Sequence, residues 1–165
     1  MMYLMCGAPF SGKSTLARLL ARQTNSQYLS LDDIMRERGR DLSQLQPVEE
    51  WGKAHEICRQ RMDALMQEQT SIVLDDTNNF RWLRDRVRQL AQKHQYPTTL
   101  IFVDIPLAEL ERRREQVRHS KERNHLPDDV FYPVIEQFER PGPDESPLVF
   151  DGTMDMQEWL NACLI

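Results

Sequence analysis

The sequence predicts an α/β fold, a mostly parallel five-stranded sheet with helices on both faces, and three observations carry that reading. Short apolar or β-branched runs alternate with longer stretches of helical apolar period, the βαβα pattern that gives parallel sheets. A glycine-rich loop stands between the first such run and the first such stretch. The chain has 165 residues, 40% of them hydrophobic and 28% charged, which suits one well-buried core and is too short for two domains of ordinary size. Residues 1–165 are therefore expected to form one domain.

The elements follow in order. YLMC at 3–6 reads as the first strand, and STLARLLARQ at 14–23 as the first helix. YLSL at 28–31 is a second strand, followed by acids that open a short helical stretch. VEEWGKAHEICRQRMDALMQEQ, 48–69, has a long helical period. SIVLD, 71–75, is a third strand and FRWLRDRVRQLAQKH, 80–94, the helix after it. TTLIFVD, 98–104, is the fourth strand and LVF, 148–150, the fifth. Between them lies an arginine-rich stretch, and PGPDESP at 141–147 reads as a short surface loop.

Composition excludes several classes. No apolar stretch approaches the roughly 18 residues of a membrane span, and MMYLMC runs straight into the glycine loop without a charged leader or cleavage site. A cytoplasmic protein with no membrane partner is the expectation. Cys6, Cys58 and Cys163 are far apart and form no CxxC pair, so neither a disulfide framework nor a zinc site is suggested. A net charge of -5 argues against a protein that coats nucleic acid, although a local basic groove stays open. His119 and His125, six apart, do not have the i, i+4 spacing of helical zinc ligands and read as solvated. Trp51, Trp82 and Trp159 lie in amphipathic stretches and read as packing residues.

The loop GAPFSGKST, residues 7–15, matches G-x-x-x-x-G-K-[ST] through Gly7, Gly12, Lys13 and Ser14, between a strand and a helix as that motif requires. Its glycines let the backbone turn tightly and bring amides to phosphate oxygens, and the following helix offers unpaired N–H groups and a positive dipole end. Gly7, Ala8, Pro9, Phe10, Ser11, Gly12, Lys13, Ser14 and Thr15 are thus the expected cradle for ATP. Lys13 would reach the β and γ phosphates and the Ser14 hydroxyl would ligate Mg2+. The expected fold is the P-loop NTPase fold.

Acids at the other strand ends narrow the chemistry. Neither an N-K-x-D guanine reader nor an LSGGQ-like transporter signature is present. Asp32 and Asp33 follow the second strand, with Arg36 just beyond. A carboxylate there would accept the proton of an attacking hydroxyl during in-line phosphoryl transfer, and a helix cap is the competing role. Asp75 and Asp76 follow the third strand, the usual place of an acid associated with magnesium, and Asp76, Thr77 and Asn78 offer hydrogen bonds to a polar substrate.

Taken together, GAPFSGKST, LDD with nearby arginines, LDDTNN and the arginine-rich segment before LPDDVF resemble the small P-loop kinases related to the kinase domain of phage polynucleotide 5′-kinase, a group that includes zeta-type toxins. The resemblance covers nearly the whole chain. It implies that the acid after the second strand is the general base, and Ser30-Leu31-Asp32 matches the family's Ser-x-Asp. Met35 stands where the family has arginine; Asp33 with Arg36 restores the spacing, so Asp33 is the alternate base. It further implies a catalytic role for Asp76 and a mobile lid, about 112–127, with Arg118 and Arg123 stabilising transition-state charge and Arg112 or Arg113 bordering the adenine. The acceptor it implies is a hydroxyl: a 5′ end of RNA or DNA, or a sugar, nucleoside, antibiotic or nucleotide-sugar. A nucleotide-dependent switch is the reading from another class. FDGT at 150–153 is similar to part of an aspartyl phosphatase motif, but Val149 occupies the place of its first aspartate, so a phosphatase is rejected.

Overall fold

The computed structural model describes residues 1–120 and 126–163. Strand β1 (Met2–Gly7) is central, and all six of its residues are buried. Around it the sheet runs in the order β2 (Gln27–Ser30), β3 (Ile72–Asp75), β1, β4 (Thr98–Val103), β5 (Leu148–Phe150), and every pairing is parallel. The carboxyl ends of all five strands therefore share one edge, where an open α/β sheet gathers its ligands.

Alternation along β1 feeds two cores. Met2, Leu4 and Cys6 join the layer built with α2 (Leu31–Glu37), α3 (Val48–Gln67) and α4 (Arg81–Lys93). Tyr3 and Met5 join the opposite layer, with α1 (Lys13–Gln23) and α7 (Met156–Cys163). The stripes on the helices have the matching period: Leu16, Ala17, Leu20 and Ala21 on α1, and Ala54, Cys58, Met62 and Met66 on α3. Leu16 and Leu20 are wholly buried, each contributing roughly 1.5–3 kcal/mol. Burial pushes the Cys6 and Cys58 thiols up to about 12, so both behave as core hydrophobes.

Helices α5 (Leu107–Ser120) and α6 (Asp128–Glu136) follow β4. Buried Phe131 of α6 packs into the α1 layer, and a 3-10 turn, Pro143–Glu145, precedes β5. That turn falls in the stretch read from sequence as a surface loop, and the reading is corrected at one residue. The Glu145 side chain is 1% exposed, because the buried guanidinium of Arg84 on α4 draws it inward through bonds of 2.8 and 2.7 Å. Among the described residues no helix is long and apolar enough to cross a membrane.

Candidate active site

The turn from β1 into α1 forms a hollow of backbone. Gly12 caps α1 at φ 88 with no side chain bonded to the helix's first amides, which leaves those donors aimed into the loop. Phe10 also takes a positive φ of 65. Gly7 is needed for a different reason: a Cβ there would lie 2.9 Å from the Val103 carbonyl oxygen and 3.2 Å from Ser11 Oγ. The Ser11 hydroxyl is buried and has no hydrogen-bond partner among the described residues, so the loop holds an unused polar group beside its amides.

Lys13 and the end of β3 meet across this hollow. Lys13 Nζ donates to Asp75 Oδ1 at 2.7 Å, and the two side chains are 12% and 4% exposed. Tyr28 on β2 donates to the other carboxylate oxygen at 2.6 Å. Burial alone would push the Asp75 carboxyl upward, but the Lys13 charge and hydrogen bond, with those of Tyr28 and Ser14, hold it below the ordinary carboxylate range. The Tyr28 phenol is pushed up in turn, first by burial and then by the Asp75 charge.

The acids after β2 divide. Ser30 caps α2, its hydroxyl accepting from the Asp33 amide at 3.3 Å, so neither aspartate is used as the cap. Asp33 turns outward to Arg36 at 2.7 Å, with both side chains about half exposed. Asp32 instead opens into the same cavity as Lys13, Ser14, Asp75 and Asp76. It is an exposed residue at the cavity wall, and partial desolvation there raises its pKa, opposed by Lys13 and Arg36 and reinforced by Asp76 and Asp75.

Beyond β3, Asp76 accepts from the Thr77 amide at 2.7 Å, and the Thr77 carbonyl accepts from the Gly7 amide at 3.1 Å, tying this loop to the phosphate loop. Asn78 serves the scaffold rather than the cavity. It is 2% exposed, its amide donates to the Met5 carbonyl at 2.7 Å, and its own carbonyl accepts from Arg84 at 2.9 Å. Asn78, expected from sequence to bind substrate, is placed in the scaffold and does not line this cavity. The helix α4 takes its cap from afar, the Glu139 carboxylate accepting from the Arg81 amide at 2.6 Å, so Asp75 and Asp76 are not used as its caps.

The arginines also separate. Arg113 donates to the Ser11 carbonyl at 2.9 Å and to Glu109 at 2.7 Å, bracing the phosphate loop from outside the cavity. Arg112 is bound to Glu109 and half exposed. Arg114, which sequence reading left without a role, is 7% exposed, donates to the Leu126 carbonyl, pairs with Asp128, and stacks over Phe131 at 4.7 Å. Phe131 in turn lies 5.9 Å from Phe10 of the loop. Arg118 is exposed on α5 near Glu115 and does not line the cavity; Thr15 is exposed on α1. Arg123, and the side chain of His119 and all of His125, lie outside the described residues, as does part of the expected lid.

One cavity of about 230 Å³ thus collects Ala8, Pro9, Phe10, Ser11, Gly12, Lys13 and Ser14 with Asp32, Arg36, Asp75, Asp76 and Thr77. Two contributors were not foreseen. Tyr28 sits two residues before Ser30 in β2, and no motif in the sequence marks its hydroxyl. Trp51, read as packing, lies at the start of α3, partly buried against the core and facing the cavity with Leu42 and Leu45.

A loop between β1 and α1 with its lysine on the β3 acid, at the carboxyl edge of a parallel sheet, is the P-loop kinase-like arrangement. The profile of the AAA domain family AAA_33 matches residues 2–141. The chain belongs to that family. Solved structures share its fold. A sugar kinase from Janibacter sp. superposes with TM-score 0.72 at 20% identity, over 99% of this chain and 91% of that one. The APS kinase CysC of Mycobacterium tuberculosis, in complex with AMPPNP and APS, gives 0.71 at 19% identity over 99% and 94%. A chain of the Pnkp1/Rnl/Hen1 RNA repair complex gives 0.69 at 25% identity over 82% of this chain and 43% of its own. No curated protein matches the sequence.

Proposed function

We propose that this AAA domain is a phosphotransferase that moves the γ-phosphoryl group of ATP, with Mg2+, onto a hydroxyl of a second substrate. The observation that carries the reading is Asp32, free of the capping role, opening into the cavity that also holds Lys13, Ser14 and Asp75. ATP fits the loop: uncapped amides, the orphan Ser11 hydroxyl and Lys13 form one donor-rich hollow, and close packing behind positions 7 and 12 leaves room there only for glycine. Magnesium fits as a partner of the nucleotide. Among the described residues no three His, Cys, Asp or Glu groups gather into a metal cage, and Mg2+ commonly takes only one or two protein ligands beside phosphates and water. Ser14 and Asp75 would hold it, and once bound it would neutralise phosphate charge.

Asp32 accepts the hydroxyl proton as that oxygen bonds to the γ-phosphorus and the bond to the bridging oxygen breaks. Its raised pKa gives it more basicity than an open carboxylate. Lys13 faces the charge that grows on the leaving oxygen. Arg36 and Asp76 border the transferring group, Thr77 orients the acceptor, and Arg118 and Arg123 would be delivered by the lid. The nucleotide bound in the APS kinase neighbour supports this reading.

Two variants test it. Lys13→Ala should weaken ATP binding at least tenfold, while Asp32→Asn should bind ATP normally and lose about 10² to 10⁴ in transfer rate. Normal ATP binding by the first, or wild-type turnover by the second, refutes the assignment.

A further inference from the structure

The part of the cavity beyond Asp32 has its own chemistry. Its far wall comes from the segment joining α2 to α3 and from the start of α3: Leu42, Gln44, Leu45, Gln46 and Trp51. None of these five ionises. The charged groups lining the rest of the cavity are three carboxylates, Asp32, Asp75 and Asp76, against two cations, Lys13 and Arg36. Lys13 is bound to Asp75 and Arg36 to Asp33.

The next cations along the chain are turned away. Arg38 and Arg40 both reach Glu50 Oε2, at 2.6 and 2.8 Å, and Lys53 takes the other oxygen at 2.8 Å. None of the three lines the cavity. The same cluster holds the neutral wall in place, because Arg38 and Arg40 tie the start of the segment to Glu50 in the first turn of α3. Asp41 stiffens the middle: Ser43 donates to its carboxylate through both its amide and its hydroxyl, and Gln46 donates to its carbonyl at 2.7 Å. From the other side, Leu126, Val130 and Val134 close the cavity with apolar surface.

An anionic group seated against this wall would leave water to face five side chains that do not ionise, whereas the phosphates of ATP would lie at the other end of the cavity with the loop amides and Lys13. A flat apolar body would instead pack on Trp51 between Leu42 and Leu45, with its hydroxyl presented to Asp32. We propose that the acceptor is a small uncharged alcohol with a flat apolar body, of nucleoside rather than nucleotide type, selected by the neutral wall around Trp51. This rests on the phosphotransfer reading and narrows it. Oligonucleotide acceptors, which carry a phosphate next to the reacting sugar, are disfavoured by the same wall.

The test uses the full chain, labelled ATP and a panel of uncharged nucleosides and aryl-bearing diols, each paired with its monophosphate, plus a hexose and a 5′-hydroxyl oligonucleotide. Uncharged aromatic members should be phosphorylated, with kcat/KM at least tenfold above their monophosphates, the hexose and the oligonucleotide. Trp51→Ala should raise the acceptor KM about tenfold and leave the KM for ATP unchanged. Leu45→Lys, at a side chain already 71% exposed, keeps the fold and should shift preference toward the monophosphates about tenfold. A monophosphate or the oligonucleotide preferred over its uncharged counterpart, no transfer to any uncharged member, or an acceptor preference unmoved by both variants overturns the proposal. Transfer to an anionic acceptor that still depends on Asp32 sinks this inference alone, whereas failure to bind ATP through Lys13 sinks the phosphotransfer reading as well.

Discussion

Glu145→Gln is the substitution whose cost the structure fixes best. Glu145 accepts from Arg84 Nε and Nη2 at 2.8 and 2.7 Å and from Arg88 at 2.7 Å, while Arg84 and Glu145 are 0% and 1% exposed. The remaining Arg84 donors go to the carbonyls of Asn78 and Glu139, at 2.9 Å each. Burial would raise the Glu145 pKa, yet Arg84 and Arg88 bring it from 4.5 to about 2. A shift of that size corresponds to about 3 kcal/mol at neutral pH, and solvent screening near the surface lowers it to about 2. Removing one partner of a buried pair typically costs about 3–5 kcal/mol, because the other charge stays behind. The expected loss is therefore about 2–4 kcal/mol.

For a chain of this length that lowers Tm by roughly 5–15 °C, readable by calorimetry and by urea unfolding at pH 7. The sign with pH follows from the depressed pKa. The stabilisation is fully present above about 4.5 and fades as pH falls toward about 2, so wild type and Glu145→Gln should converge in acid. Because Arg84 holds the Asn78 carbonyl, the variant should also slow phosphotransfer. A loss below about 1 kcal/mol at pH 7, or a gap between the proteins that does not close in acid, refutes the reasoning.

Other outcomes follow from the same geometry. The acid limb of kcat/KM against pH should sit above the ordinary Asp value of 3.8, since activity needs Asp32 ionised and its pKa is raised; a limb at or below 3.8 would rule out Asp32 as the base. Tyr28→Phe removes the hydrogen bond to Asp75 Oδ2, at a cost of about 1.5–3 kcal/mol for a charged acceptor. Asp75 is depressed, so its stabilisation is lost as pH falls through its folded pKa, and Tyr28→Phe should move that loss to higher pH in acid-unfolding curves. Gly7→Ala places a methyl 2.9 Å from the Val103 carbonyl oxygen, a backbone atom that cannot give way cheaply, and should cost about 1–3 kcal/mol by urea unfolding while also weakening ATP binding.

The sheet was legible because its strands are short apolar runs whose boundaries coincide with turns and acids, and helical period fills the gaps between them. The phosphate loop was legible because its geometry demands particular residue types at fixed spacing. Contacts between segments far apart in sequence were not. Glu145 reads as a polar loop residue until Arg84, 61 positions earlier, supplies the buried charge that draws it inward. The cap of α2 illustrates a nearer ambiguity: Ser30, Asp32 and Asp33 are all good capping residues, and only the turn geometry assigns the role to Ser30. Asn78 looked like a substrate ligand because polar residues after a strand commonly are, whereas the close packing of β3 against β1 needed a donor for the Met5 carbonyl.

That scaffold links the two halves of the proposed chemistry. Arg84 grips the Asn78 carbonyl, Asn78 grips the Met5 carbonyl in the central strand, and the Gly7 amide grips the Thr77 carbonyl one residue earlier. The phosphate loop and the Asp75–Asp76 corner are thereby bolted to one another through backbone atoms, and the Lys13–Asp75 pair crosses between them. Asp32 hangs on a different support, the Ser30-capped start of α2, whose register beside β3 is set by Ser30 pairing with Asp75. The proposed base is therefore carried by the edge strand, and the proposed phosphate grip by the middle of the sheet. Loosening the Arg84 network should disturb the phosphate grip more than the base, so Glu145→Gln should raise the KM for ATP more than that for the acceptor. Equal effects on both, measured by varying each substrate in turn, would mean that the two supports move together.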